Sequence, residues 1–212
     1  MVKPRLFGAD YSVYVRISRL ALHEKGVGYE LVPVDIFAPG GASSAYLERQ
    51  PFGKIPAFEH DGFRLYETGA ITRYVDEAFE GPALQPIEPK QRARMNQILG
   101  IADGYIYPHL VWGLYVELVS KAENGEPADP DRVAAARAKA PVCLKALSDL
   151  MGDNPWLAGD RLTLADLHLA PMLDYFLMVP EARDMLLDKP SLTSWWDRMS
   201  LRESFRLTRP TS

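Results

Sequence analysis

The chain changes character once, and this constrains its fold more than any other feature. Residues 81–90, GPALQPIEPK, hold three prolines and a glycine and read as a linker. Before them, runs of strand length alternate with helical stripes; after them no strand pattern stands out. Residues 3–7 read as a strand ending at Gly8. Val13, Ile17, Leu20 and Ala21 sit at helical spacing over 13–26, and Gly26 is a natural stop. Residues 28–34 favour a second strand, so strand, helix and strand fit one βαβ unit with a right-handed crossover. Residues 38–44 read as loop and 45–49 as a short helix. The runs IPAFEH and FRLYE flank Asp61-Gly62, a strong two-residue hairpin signal. Ala70, Ile71, Tyr74, Val75 and Phe79 then mark a helix over 67–80.

Beyond the linker the spacing predicts a helix over 90–120, bent at Pro108, where proline removes an amide donor. A loop over 121–130 follows, then a helix over 131–151 with a second kink at Pro141. Helices are expected over 163–178, 181–188 and 191–200, with residues from about 205 to 212 loosely held. The expected fold class is α/β plus all-α: one domain over 1–81, a linker over 82–90 and an all-helical domain over 91–212. At 212 residues the chain can bury a sizeable core.

Composition narrows the functional classes. A single cysteine, Cys143, excludes an internal disulfide and a cysteine cluster for zinc. The net charge is −4, and residues 1–80 and 81–212 each carry two more acids than bases. No basic stripe emerges, so nucleic acid is not the expected partner. The longest apolar run, Leu110 to Val119, is broken by Gly113 and Glu117 and is far short of the ~20 residues that span a bilayer. The first residues lack a signal-peptide core. The expectation is a soluble cytoplasmic protein without a membrane partner.

Four short motifs could carry chemistry. Ser12 precedes the first helical stripe, where it can cap the helix. The same place carries the partial positive charge that lowers a thiol pKa, and a serine hydroxyl there can donate to sulfur. With Cys143 in the helical half, such a thiol would belong to a ligand. Lys54-Ile55-Pro56 enters a strand: a cis-Pro would expose the Ile55 backbone for pairing with a peptide, whereas the general preference for trans favours an ordinary loop end. Glu67-Thr68 opens a helix, either as a cap or as an acceptor for an ammonium group beside amides that hold a carboxylate. Thr163 and Asp166 form a near capping box, a structural device. The histidines His23, His60, His109 and His168 lack metal-ligand spacing, and no metal site is expected. His109 stands near Tyr105, Tyr107 and Trp112, in a cleft or a packed aromatic face.

Taken together, these segments resemble the cytosolic glutathione transferases along nearly the whole chain. SVYVRISRLALHEKGVGYELVPVD is similar to the family's Ser-Pro-Phe-Val-Arg segment with its helix and strand. QPFGKIPAFEHDGFRLYETGAITRYV resembles its Asn-Pro-x-Gly-Lys-Val-Pro and Glu-Ser-x-Ala-Ile-x-x-Tyr region, and WLAGDRLTLADLHLAP its C-terminal capping segment. The spacing looks closest to bacterial and phi-like, serine-type members.

The resemblance implies a thioredoxin-like N-terminal domain, a helical-bundle C-terminal domain, a homodimer, and glutathione as cosubstrate. Ser12 then matches the serine that activates the thiol. Ile55 matches the residue whose backbone pairs with the cysteinyl part, and Pro56 the cis-proline. Glu67 and Thr68 match the pair that holds the γ-glutamyl group. Asp103 matches acidic residues that reach the partner subunit's glutathione in some relatives. The implied function is thiol activation for attack on an apolar electrophile, as in detoxification, with Tyr11, Phe37, His109 and Trp112 lining the second-substrate pocket. Relatives also isomerise substrates, reduce peroxides or act as non-catalytic modules. Three departures stand out. Val13 replaces the proline after the serine. Tyr11 and Tyr14 flank Ser12 as rival phenols. Residues 39–44 lack a His-Lys pair for the glycyl carboxylate, which leaves Lys54 or Arg16 for that role.

Overall fold

The computed structural model describes residues 3–210. Their contacts divide into two compact units. The first runs to Leu84 and takes up the chain again from Arg202; the second is Gln85–Leu201.

The first unit contains β1 (Arg5–Gly8), α1 (Val13–Glu24), β2 (Glu30–Pro33), α2 (Ser44–Leu47), β3 (Ala57–His60), β4 (Phe63–Tyr66) and α3 (Thr68–Ala78). The four strands lie in the order β2-β1-β3-β4. β1 is parallel to β2 and antiparallel to β3, and β3 is antiparallel to β4. This is the thioredoxin-like arrangement, and the succession of strands and helices along the chain follows the sequence reading. Asp61 and Gly62 both take positive φ (49° and 79°), as a two-residue hairpin turn requires. The turn pairs His60 with Phe63.

Register is set by alternating rows across the sheet. Leu31, Leu6, Phe58 and Leu65 form one row, in which Leu6 and Phe58 are buried. The next row is charged: Glu30, Arg5, Glu59 and Arg64 alternate in sign. Its ion pairs are long, 3.5 Å for Arg5–Glu30 and 3.6 Å for Arg64–Glu59, and exposed pairs contribute little energy. They oppose a slip instead, because moving one residue would turn this row inward.

The second unit is helical: α4 (Pro89–Ile101), a π-helical segment (Ala102–Ser120), α5 (Lys121–Glu123), α6 (Pro130–Met151), α7 (Leu164–Phe176), α8 (Ala182–Leu187) and α9 (Pro190–Ser200). The helix expected over 90–120 is continuous, but it widens at Ala102 instead of only bending at Pro108. The N–H of Lys121 bonds to the carbonyl of Val116, five residues back. A proline in an α-helix opposes the carbonyl four residues earlier; Pro108 stands within the wider winding, which does not use that pairing.

Helix α7 lies at the centre of this unit, with twelve of its thirteen residues buried. Its start is fixed by the Thr163–Asp166 capping box. The fully buried Asp166 carboxylate accepts from the Thr163 amide (2.7 Å), the Leu157 amide (2.9 Å) and Trp195 Nε1 (2.8 Å). Burial pushes its pKa up while these bonds pull against it. His168 Nε2 lies 2.7 Å from Asp103 Oδ1, joining α7 to the π-helical segment.

Residues from about 205 onward are not loosely held over the described part. Helix α10 (Glu203–Leu207) follows Arg202, and Phe205 and Thr208 are fully buried. From Arg202 the chain belongs to the first compact unit. The cause is a set of polar contacts with α1 that sequence periodicity does not register.

Glu117 is the second buried acid of the helical unit. It accepts from Lys121 Nζ (2.6 Å), the Asp129 amide (2.8 Å) and Arg132 Nη1 (3.1 Å). The amide bond, then Lys121 and Arg132, hold its pKa down at about 2, against an ordinary value of 4.5. This stabilisation is fully present above about pH 4.5 and is lost as pH falls toward about 2. Glu117→Gln is expected to destabilise the protein by about 2 kcal/mol at neutral pH. In urea unfolding, the gap to the parent protein is expected to close as pH falls across that window.

Candidate functional site

The register decides which loops meet. Phe7, one residue before the end of β1, faces Ala57 at the start of β3, and Ala57 faces Tyr66 at the end of β4. The segments just outside these residues are Ala9–Ser12, Ile55–Pro56 and Glu67–Thr68, so all three stand at one end of adjacent strands. Gly8 marks how close they come: a Cβ there would lie 3.5 Å from the Ile55 Cβ and would collide with the Val15 side chain.

Ser12 is the N-cap of α1. Its Oγ accepts from the Val15 amide at 3.4 Å, a long contact. A hydroxyl keeps one donor and a second lone pair beyond that bond, so Ser12 can still donate to an anion at the helix end, where the amides and dipole also favour negative charge.

The Ile55–Pro56 bond is cis, so the trans bond that general preference favoured is not what this chain adopts. The loop before it is pinned from α2. Buried Tyr46 donates its hydroxyl to the Lys54 carbonyl (2.6 Å), and the Lys54 amide donates to Gln50 Oε1 (3.0 Å). Lys54 thus has a fixed backbone and an exposed side chain. Neither Tyr46 nor Gln50 carries a sequence motif: one is a tyrosine in a short helix, the other a glutamine in the loop after it.

Glu67 precedes α3 with φ +70°, and its side chain makes no capping bond. A glutamate in this region is uncommon and strained. Its exposed carboxylate is left out of the helix start, unlike the ordinary cap that residue type alone suggested. Thr68 beside it is buried.

Tyr11 and Phe37 stack with ring centroids 6.2 Å apart, and both are exposed, at 42% and 69%. Burial, then the carboxylates of Asp35 and Asp10, push the Tyr11 phenol up. It is therefore a neutral O–H donor at physiological pH, not a base. Arg16 does not point outward to receive a carboxylate. It is 1% exposed, and its guanidinium donates to the Phe205 carbonyl (3.2 Å) and lies over that ring.

His109 and Trp112 belong to the second unit, one turn apart on the π-helical segment, with Trp112 edge-on to Tyr107 at 6.4 Å. Asp103, in the same segment, is engaged by His168. Among the described residues no group of three or more His, Cys, Asp or Glu could hold a metal ion, and no helix is long and apolar enough to cross a membrane.

Comparison with known proteins agrees with this arrangement in both units. Residues 6–83 match the family Glutathione S-transferase, N-terminal domain, and residues 106–203 match Glutathione S-transferase, C-terminal domain. Glutathione S-transferase F13 of Arabidopsis thaliana is 30% identical over 97% of this chain and 94% of its own length. The crystal structure of glutathione transferase F7 from Populus trichocarpa superposes with a TM-score of 0.85 at 28% identity, covering 97% of each chain. A glutathione S-transferase of Methylobacterium radiotolerans, solved in complex with glutathione sulfonate, does so with a TM-score of 0.79 at 27% identity, over 100% of this chain and 96% of its own. The chain belongs to the glutathione S-transferase family, and it is a transferase enzyme.

Proposed function

We propose that this transferase binds glutathione across the end of the β1-β3-β4 sheet and activates its thiol at Ser12. The observation that carries the reading is the convergence of Ser12, Ile55–Pro56 and Glu67–Thr68 on that end. The Ile55 backbone pairs with the cysteinyl part, as in strand addition. The Glu67 carboxylate accepts the γ-glutamyl ammonium, and Thr68 with the first amides of α3 takes the adjoining carboxylate. Lys54 supplies the cation for the glycyl carboxylate, since Arg16 is buried.

With the sulfur at the N-terminus of α1, the Ser12 hydroxyl and the helix dipole favour thiolate over thiol. The thiol proton leaves to solvent. The thiolate then attacks the electrophilic atom, forming a thioether as the leaving group departs or as charge moves into the acceptor. Stacked Tyr11 and Phe37 offer one apolar wall for the second substrate. The substrate class is a small apolar electrophile, and the role is its removal in the cytoplasm. The exposed pair Phe52 and Tyr66, in edge contact at 6.1 Å, supports a homodimer as the working unit.

Ser12→Ala is expected to lower kcat with a generic aromatic electrophile by about 100-fold and to raise the pKa of the bound thiol. Thiolate absorbance against pH with the glutathione complex checks this; undiminished turnover would remove Ser12 from the role. Tyr46→Phe loses the bond to the Lys54 carbonyl. It is expected to raise KM for glutathione several-fold with little change in kcat, and to cost about 1 kcal/mol in chemical denaturation.

A further inference from the structure

One face of α1 is clasped by the C-terminal segment. At the C-terminal end of α1, Glu24 receives both arms of Arg202, at 2.8 and 2.5 Å, and the Ser204 hydroxyl. Further along, Arg16 donates to the Phe205 carbonyl at 3.2 Å, with its guanidinium 4.2 Å from the centre of the Phe205 ring. Between them, Arg19 donates to the carbonyls of Leu207 and Thr208, at 3.2 and 3.3 Å. The two arginines thus take up the last carbonyls of α10, groups that a short helix leaves without internal partners. The acid takes the arginine and serine at its start.

We infer that this segment, Arg202–Thr208, is a positioning element for the N-terminus of α1. The inference rests on the reading that thiol activation occurs there. Arg16 is the link. Its backbone N–H donates to the Ser12 carbonyl at 2.9 Å, so Arg16 stands one turn below the capping serine. Its side chain is buried, and a buried cation is tolerated only while partners hold it. Phe205 supplies a carbonyl and a ring for that purpose. Without the segment, the guanidinium loses this carbonyl and this ring, and the first turns of α1 lose a surface they pack on. Even a small displacement at a reacting group costs rate out of proportion to its cost in stability.

The test uses the full chain with Phe205→Ala and, separately, Arg202→Ala. A third protein exchanges the charges, Glu24→Arg with Arg202→Glu. Three quantities are read: thiolate absorbance of bound glutathione against pH, kcat/KM for glutathione, and KM for 1-chloro-2,4-dinitrobenzene. Phe205→Ala and Arg202→Ala are expected to raise the bound-thiol pKa and lower kcat/KM for glutathione about tenfold, leaving KM for the electrophile unchanged. The exchange is expected to recover most of the loss. A lower melting temperature with an unchanged thiol pKa and kcat/KM would make the segment merely structural and overturn the inference. If Phe205→Ala does not fold, the Arg202–Glu24 variants carry the same test on a pair at the far end of the helix. Ser12→Ala is measured alongside. If it leaves the thiol pKa unchanged while Arg202→Ala raises it, the serine assignment fails and the positioning of the helix end stands.

Discussion

The site depends on the pairing of β1 with β3 and of β3 with β4. Each strand is four residues long, so a slip of one residue would shift every loop at its ends by about 3.4 Å and turn every side chain to the other face. What prevents the slip is the alternation of rows. Leu6 and Phe58 are buried in one row, while arginines and glutamates occupy the next. Hydrophobic burial makes the native register favourable, and the charged row makes the neighbouring registers costly.

The same register turns three ordinary sequence features into one surface. A serine cap, a prolyl bond and a glutamate at a helix start have bland roles when taken one at a time. The register places them at one end of neighbouring strands. Ser12 makes one long hydrogen bond, and Glu67 makes no capping bond despite its positive φ. The polar capacity these residues withhold from the fold is what the proposed binding of glutathione would use.

The helical unit solves a different problem, that of keeping polar groups inside an apolar bundle. Asp166 and Glu117 are both buried, and both are satisfied by several donors from separate segments. Their environments push them in opposite directions. Asp166 is fully desolvated and its pKa rises. Glu117 receives two cations besides an amide, and its pKa falls. Each joins separate segments, Glu117 across 15 residues to Arg132 and Asp166 across 29 to Trp195.

Much of this was legible in the sequence. The linker at 81–90, the strand and helix order before it, the Asp61-Gly62 turn and the Thr163–Asp166 cap follow from local chemistry, because periodicity and turn residues act over a few positions. The three glutathione-matching segments were legible as motifs. Tertiary structure alone decided the rest. The widening of the helix at Ala102 reflects how the chain accommodates Pro108 in a packed bundle. The loop before Ile55–Pro56 is held by Tyr46 and Gln50. The fate of Arg16 depends on Phe205, which lies 189 residues further along the chain. Sequence reading left that arginine free to meet a ligand and the C-terminal residues free of the fold. In the structure each meets the other, and partners so far apart leave no mark in any local pattern.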